Sequence, residues 1–219
     1  PTHADPQALQ LLQENFPPGM GITLTPWEPQ ELWPLVAAGL RARPAVLAPF
    51  VTRPNEKVPD RAALGLPPAT AAAEGVYAMR VADPAAQPYH GTVILQESGV
   101  AYAFVDHVLP ELDRRGIRLN VYYVASAELF DQLPAERRNA ILPEERLREA
   151  MGITGFTLPT LYRWIRSEMG LRHTLHPYRD GRYLGSGQAA KVLEEAGLDG
   201  PGQLREILAY VAERHETGR

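Results

Sequence analysis

The chain of 219 residues has no cysteine. That excludes disulfides, thiolate nucleophiles, cysteine-ligated zinc and iron–sulfur clusters. Lysine is almost absent too: Lys57 and Lys191 stand against 20 arginines. No apolar run approaches the roughly 20 residues that span a bilayer, so no membrane partner is expected. No basic stretch followed by an apolar one opens the chain, so nothing points to export, and a cytoplasmic location is the expectation. The net charge of −4 provides no basic field of the kind a nonspecific nucleic-acid binder needs. What the chain has in plenty is proline, 21 residues, which implies many loops and sharply ended helices. Apolar residues at 45% suffice for a sizeable core, and 22% charged residues argue against disorder.

Three stretches differ in pattern. In residues 1–53, Asp5-Pro6 reads as a helix start, and Leu9, Leu12 and Phe16 follow at helical spacing until Pro17-Pro18-Gly19. Gly21 to Thr25 reads as a strand, a helix beginning at Thr25-Pro26 carries Leu32, Leu35, Val36 and Leu40, and Pro44 to Val51 reads as a second strand. That α-β-α-β rhythm belongs to a parallel sheet, but two strands are too few to stand alone, so the block reads as the end of a domain whose earlier strands are missing. Residues 54–88, rich in proline and alanine, read as an extended surface linker, with Glu74 to Met79 as an edge strand. Residues 89–219 alternate strand and helix. Strands are expected at His90–Gln96, Ile117–Val124, Arg148–Ile153 and Arg172–His176. Helices are expected at Val100–Arg115, Ser126–Phe130, Pro134–Ile141, Pro159–Met169, Gly187–Ala196 and Gly202–Arg214. The fold class is therefore α/β: a three-layer α/β/α C-terminal domain with a mostly parallel sheet, preceded by an incomplete α/β segment.

Few residues suggest chemistry. Gly185-Ser186-Gly187-Gln188-Ala189-Ala190 matches the G-x-G-x-x-A dinucleotide fingerprint, but no strand follows to carry the ribose-binding acid, and Glu206 stands on a helix. Gly185, Ser186 and Gly187 remain an anion-binding candidate at a helix start. His173 and His176, with Asp180, are the right types for a metal, but on a strand the two histidines face opposite ways. Ser98, Asp106 and His107 are hydrolase residue types without a nucleophile elbow, and Ser98 reads as a helix cap. Arg53 follows the carboxyl end of an expected strand, where ligands of open α/β sheets bind and where a guanidinium suits a phosphate. His3 lies just before a helix start.

Four stretches together resemble the transketolase family. Pro1-Thr2-His3 is similar to part of its G-P-T-H-Q-P segment, with Ala4-Asp5-Pro6 in place of the Gln-Pro. Val51-Thr52-Arg53 resembles its L-[ST]-R strand end. Ala127 to Pro134, with Ala140 to Pro143, resembles its "ELFDAQP…SVLP" stretch, and Gly185 to Gly187 with Lys191 to Leu198 its "FGASAPA…VLEEFGL" segment. The similarity spans nearly the whole chain and is weakest between Met151 and Tyr183.

The resemblance implies that residues 1–53 end a pyrimidine-binding domain, that 54–88 link, and that 89–219 are the family's C-terminal domain. It assigns His3 to the sugar hydroxyls and Arg53 to the terminal phosphate of a sugar-phosphate substrate. It implies thiamine diphosphate and a divalent metal in the parent enzyme, neither bound by this chain alone. The family's activating Glu and its D-G-D…N motif have no counterpart in this sequence, so no catalytic residue is assigned and the chain alone is expected to be inert. Three readings stay open: a C-terminal fragment of a larger enzyme, a separately encoded subunit of a split transketolase for which Pro1 follows a removed initiator Met, or a non-enzymatic interaction or regulatory module. A homodimer, or association with an N-terminal transketolase portion, is expected, with Trp27, Trp33 and Phe50 exposed where layers are missing.

Overall fold

The structure, a computed structural model, describes residues 7–52, 56–83, 88–181, 184, 185 and 187–217. The N-terminal segment has the expected rhythm: α1 (Ala8–Asn15), β1 (Gly21–Leu24), α2 (Leu32–Ala42) and β2 (Val46–Pro49), with β1 and β2 paired in parallel. The second helix starts later than Thr25. The Glu28 side chain accepts from Gln30 N at 2.8 Å, and Pro29 opens a 3₁₀ turn, Pro29–Glu31, that leads into α2.

The main sheet has the strands β3 (Val76–Arg80), β4 (Gly91–Gln96), β5 (Leu119–Val124) and β6 (Met151–Thr154), in the order β3-β5-β4-β6. β4 runs parallel to both neighbours, and β3 is the antiparallel edge. Every residue of β4, β5 and β6 is buried, as in strands covered on both faces. On one face Val93, Leu95, Val121, Tyr123 and Ile153 pack with Val100, Phe104, Leu112, Ile207 and Tyr210. On the other, Ile94, Tyr122 and Val124 pack with Phe130, Leu147, Trp164 and Ile165. The first layer holds α3 (Ser98–Ala103), α4 (Leu109–Arg114) and α10 (Gly200–Glu216). The second holds α5 (Ala127–Asp131), α6 (Ala135–Ile141) and α7 (Glu144–Glu149). α8 (Glu168–His173) and α9 (Ala189–Ala196) lie between β6 and α10 in the chain. α3 and α4 form the expected single helix, joined by a π turn, Phe104–Val108. Pro110 lacks an N–H and its ring excludes the carbonyl four residues back, and the widened turn absorbs both.

Several expectations need correction. Arg172–His176 is not a strand: α8 occupies Glu168–His173, and only Leu175 bridges to Ile153. Ser167 caps α8 by accepting from Gly170 N at 3.0 Å, a cap signal hidden in what read as a helix end. Pro159–Met169 is correspondingly broken, with a 3₁₀ turn at Leu158–Leu161. Trp27 is not exposed but buried, its indole N–H donating to the Tyr77 hydroxyl at 2.8 Å. Trp33 is 76% exposed, and Phe50 is half-buried. Within 54–88, Arg61, Leu66, Ala72, Tyr77 and Met79 are interior and Ala69–Glu74 forms a 3₁₀ helix, so these residues are part of the packing rather than a surface run. Val76–Arg80 forms the edge strand expected there.

Candidate functional site

The N-terminal segment is laid across the carboxyl ends of β4 and β5. Thr25 N donates to Ala125 O at 2.7 Å, Thr25 Oγ1 to Val124 O at 2.9 Å, and the Tyr123 hydroxyl donates to Thr25 O at 2.7 Å. Ser98 Oγ donates to Trp27 O at 2.7 Å. Glu128, in the first turn of α5, accepts from Thr23 N at 3.1 Å and from Thr23 Oγ1 at 2.8 Å. In an open α/β sheet this edge is where ligands bind. Here much of it is filled by residues 23–27, the end of β1 and the residues that follow it.

β2 ends beside the switch point of the main sheet. The chain leaves β4 toward β5 on one side, while β6 lies on the other, so the crevice between β4 and β6 is where the connections diverge. Phe50, just past β2, meets Phe156, just past β6, edge to face at 5.5 Å. Thr157 Oγ1 donates to Gln10 Oε1 of α1 at 2.7 Å. At this junction Glu97 takes a left-handed backbone, φ 91°, and its carboxylate accepts from Gly99 N at 2.9 Å and Val100 N at 3.0 Å, capping α3. Glu97, not Ser98, is therefore the cap. Burial pushes the Glu97 carboxyl up despite these bonds. Gly155 gives it room, since a Cβ there would stand 2.6 Å from the Glu97 carboxylate.

Behind β1, a buried charged cluster fastens the segment. Arg61 Nη1 donates to Glu28 Oε1 at 2.8 Å and Glu31 Oε1 at 3.0 Å, and Arg61 Nε to Pro67 O at 2.6 Å. Tyr77 of β3 donates to Glu31, and Trp27 N donates to its other oxygen at 3.1 Å. Burial, only partly offset by these partners, pushes the Glu31 carboxyl up to about 7. Nothing in the sequence pattern marks Arg61 as the partner of two acids some thirty residues earlier. Glu97 was findable, as an acid directly before a helix run.

The residues singled out from sequence fare unequally. His3, Arg53 and Ser186 lie outside the described residues. The described Val51 and Thr52, which lead toward Arg53, are exposed. Gly185 and Gly187 are exposed ahead of α9, with Glu195 Oε2 3.5 Å from where a Gly185 Cβ would stand. Ser98, Asp106 and His107 are not brought together as a triad: Ser98 binds Trp27 O, Asp106 pairs with Lys57 at 3.6 Å, and His107 packs under Gly200. His173 lies between Glu206 and Glu213 on α10, and His176 is elsewhere in the following loop. Among the described residues no group of three or more His, Asp or Glu could hold a metal ion.

No family model and no curated protein matches the sequence. Solved structures do match the fold. Transketolase from Leishmania mexicana superposes with a TM-score of 0.74 over 97% of this chain, at 16% identity. Transketolase of Pichia stipitis in complex with sedoheptulose 7-phosphate gives 0.76 over 99%, also at 16% identity. A split-gene transketolase, an inactive β4 tetramer, gives 0.55 over 96%, at 12% identity. The fold is transketolase-like. The likeness covers 28% of the first two chains and 63% of the split-gene chain, and it is to transketolase C-terminal domains. In this transketolase-like fold the sheet is mostly parallel and layered by helices on both faces, as the sequence pattern implied. No helix among the described residues is long and apolar enough to cross a membrane.

Proposed function

We propose that this chain is the C-terminal portion of a thiamine-diphosphate-dependent transketolase-like enzyme that moves a ketol unit between sugar phosphates, and that it is inactive alone. One observation carries the reading: nearly all of this chain matches transketolases in fold, while spanning only 28% of their length. In this reading His3 hydrogen-bonds the sugar hydroxyls and Arg53 takes the terminal phosphate through charge-assisted, bidentate bonds. Gly185, Ser186 and Gly187 stand as an anion-binding candidate.

The cofactor would supply the carbanion-stabilising chemistry. The described residues do not fit it or its metal. Of the half-buried acids at the sheet edge, Glu97 is engaged by two backbone N–H groups and Glu128 by Thr23. Both would therefore come with the rest of the enzyme. This chain's own part is positional: Thr23, Thr25 and Trp27 lock β1 to the main sheet, so that β2 presents its carboxyl end at a fixed place. The exposed Trp33 and Leu40, seven residues apart on α2, offer an apolar face to a second copy or to the N-terminal portion.

A second reading, a separately encoded subunit of a split transketolase, is favoured by the likeness to the split-gene protein, of which this chain covers 63%. The test is purification of tagged protein from its own cells. We expect it to carry cofactor-binding sequence, within the same polypeptide or as a second chain, and to transfer a ketol unit from xylulose 5-phosphate to ribose 5-phosphate. Arg53→Ala should abolish most of that transfer by raising KM for the phosphorylated acceptor. Transfer by the 219-residue chain alone would overturn the positional role, and a preparation with no cofactor-binding sequence and no transfer would overturn the family reading.

A further inference from the structure

His173 closes α8 and is almost fully buried. Its Nδ1 stands 2.7 Å from Glu206 Oε1 and its Nε2 2.9 Å from Glu213 Oε2. The two acids are seven residues apart, two turns along one face of α10, and the edge of Tyr210 between them meets the imidazole at 6.0 Å. The other charges facing this group are Arg172 of α8, paired with Glu213, and Arg179 of the following loop. Arg179 holds Glu206 at 2.8 Å and donates to Arg172 O at 3.0 Å.

The donor count is the decisive feature. A carboxylate only accepts, and an imidazole with one proton offers one donor and one acceptor. Both contacts are hydrogen bonds only while each ring nitrogen carries a proton. With one proton removed, a nitrogen lone pair faces a carboxylate oxygen at under 3 Å. Arg179, paired with Glu206 at 2.8 Å, keeps its charge when the ring loses a proton and still favours the Glu206 carboxylate. Arg172, paired with Glu213, favours that carboxylate in the same way.

α8 is also a cavity wall. Ser167, which caps it, and Met169 within it line a cavity of about 310 Å³ together with Arg148, Glu149 and Arg214. We propose that His173, set between Glu206 and Glu213, is a proton-operated clasp that fixes α8 to α10 when doubly protonated and loosens this wall of the cavity when the ring loses a proton.

The experiment is amide exchange of the full chain followed by mass spectrometry from about pH 5 to 8, the range in which histidine charge changes, with rates corrected for intrinsic pH dependence. In the wild type the opening constant of α8 should rise severalfold from the acid to the alkaline end of the range, as a ring proton held more tightly in the closed state requires, while β4 and β5 stay constant. Glu213→Gln supplies an amide donor to the nitrogen that lost its proton, so α8 should stay protected at pH 8 with its pH dependence largely gone. His173→Gln should show no pH dependence at α8 at any level of protection. A wild-type α8 whose protection does not change with pH, or a Glu213→Gln profile that matches the wild type, overturns the clasp.

Discussion

Replacing Arg61 by Met tests what fastens the N-terminal segment. The side chain is 6% exposed, and the Glu28 and Glu31 side chains it serves are at 0%. Met fills much of the aliphatic stem's volume, so the change removes charge and donors more than packing. Breaking a buried ion pair costs about 3–5 kcal/mol because the partner is left uncompensated. Here two carboxylates are stranded, and Pro67 O loses its donor. These losses overlap, and Glu31 can escape part of the penalty by taking a proton, so the expected net is about 4 kcal/mol. At a urea dependence of about 2 kcal/mol per molar, that moves the unfolding midpoint by about 2 M. The loss should be smaller at pH 5 than at pH 8, since acid neutralises the stranded carboxylates. Adding Glu28→Gln and Glu31→Gln to Arg61→Met should recover most of it, because no buried charge remains. A single variant within about 1 kcal/mol of wild type, or a triple variant as unstable as the single one, would refute the reasoning.

Three further outcomes follow from the same contacts. The Glu31 carboxyl is raised in the folded chain, so its contribution is full below about pH 4.5 and is lost as pH rises through about 7; a urea series across that window should show this decline in the wild type and its absence in Glu31→Gln. Glu128→Ala leaves Thr23 N and its hydroxyl without their acceptor, at a cost of about 2 kcal/mol, and amide exchange should rise in β1 and β2 well before β4 and β5. Gly75→Ala and Gly116→Ala separate backbone strain from collision: both positions have positive φ, 82° and 66°. A Cβ on Gly116 meets nothing, whereas one on Gly75 runs into the backbone at Ser126 and Phe130. Thermal melts should show about 1 kcal/mol lost at Gly116 and clearly more at Gly75.

What could be read in advance was what repeats along the chain. Strands β4 and β5 announce themselves as short apolar runs, and the helix after β5 by Ser126, whose hydroxyl accepts from Leu129 N at 3.2 Å as a cap should. Gly116 marks the end of α4 for the same local reason. The segment from Pro159 to His176 misled because its signals compete. Leu161, Trp164, Ile165 and Met169 fall at helical spacing, yet Ser167 restarts the helix, and Gly170 is demanded by the nearby Ala150 carbonyl, a neighbour twenty residues away. The candidate site was legible only as a place, the carboxyl end of β2. What holds that place is set by pairings of long range: Thr23 with Glu128, Phe50 with Phe156, and Arg61 with Glu28 and Glu31. None has a local signature, because a buried acid and its cation need proximity in space and no fixed spacing in sequence. The same holds for His173. Read as a strand residue it had no partner, and only the α8 geometry brings its two nitrogens to two acids of α10.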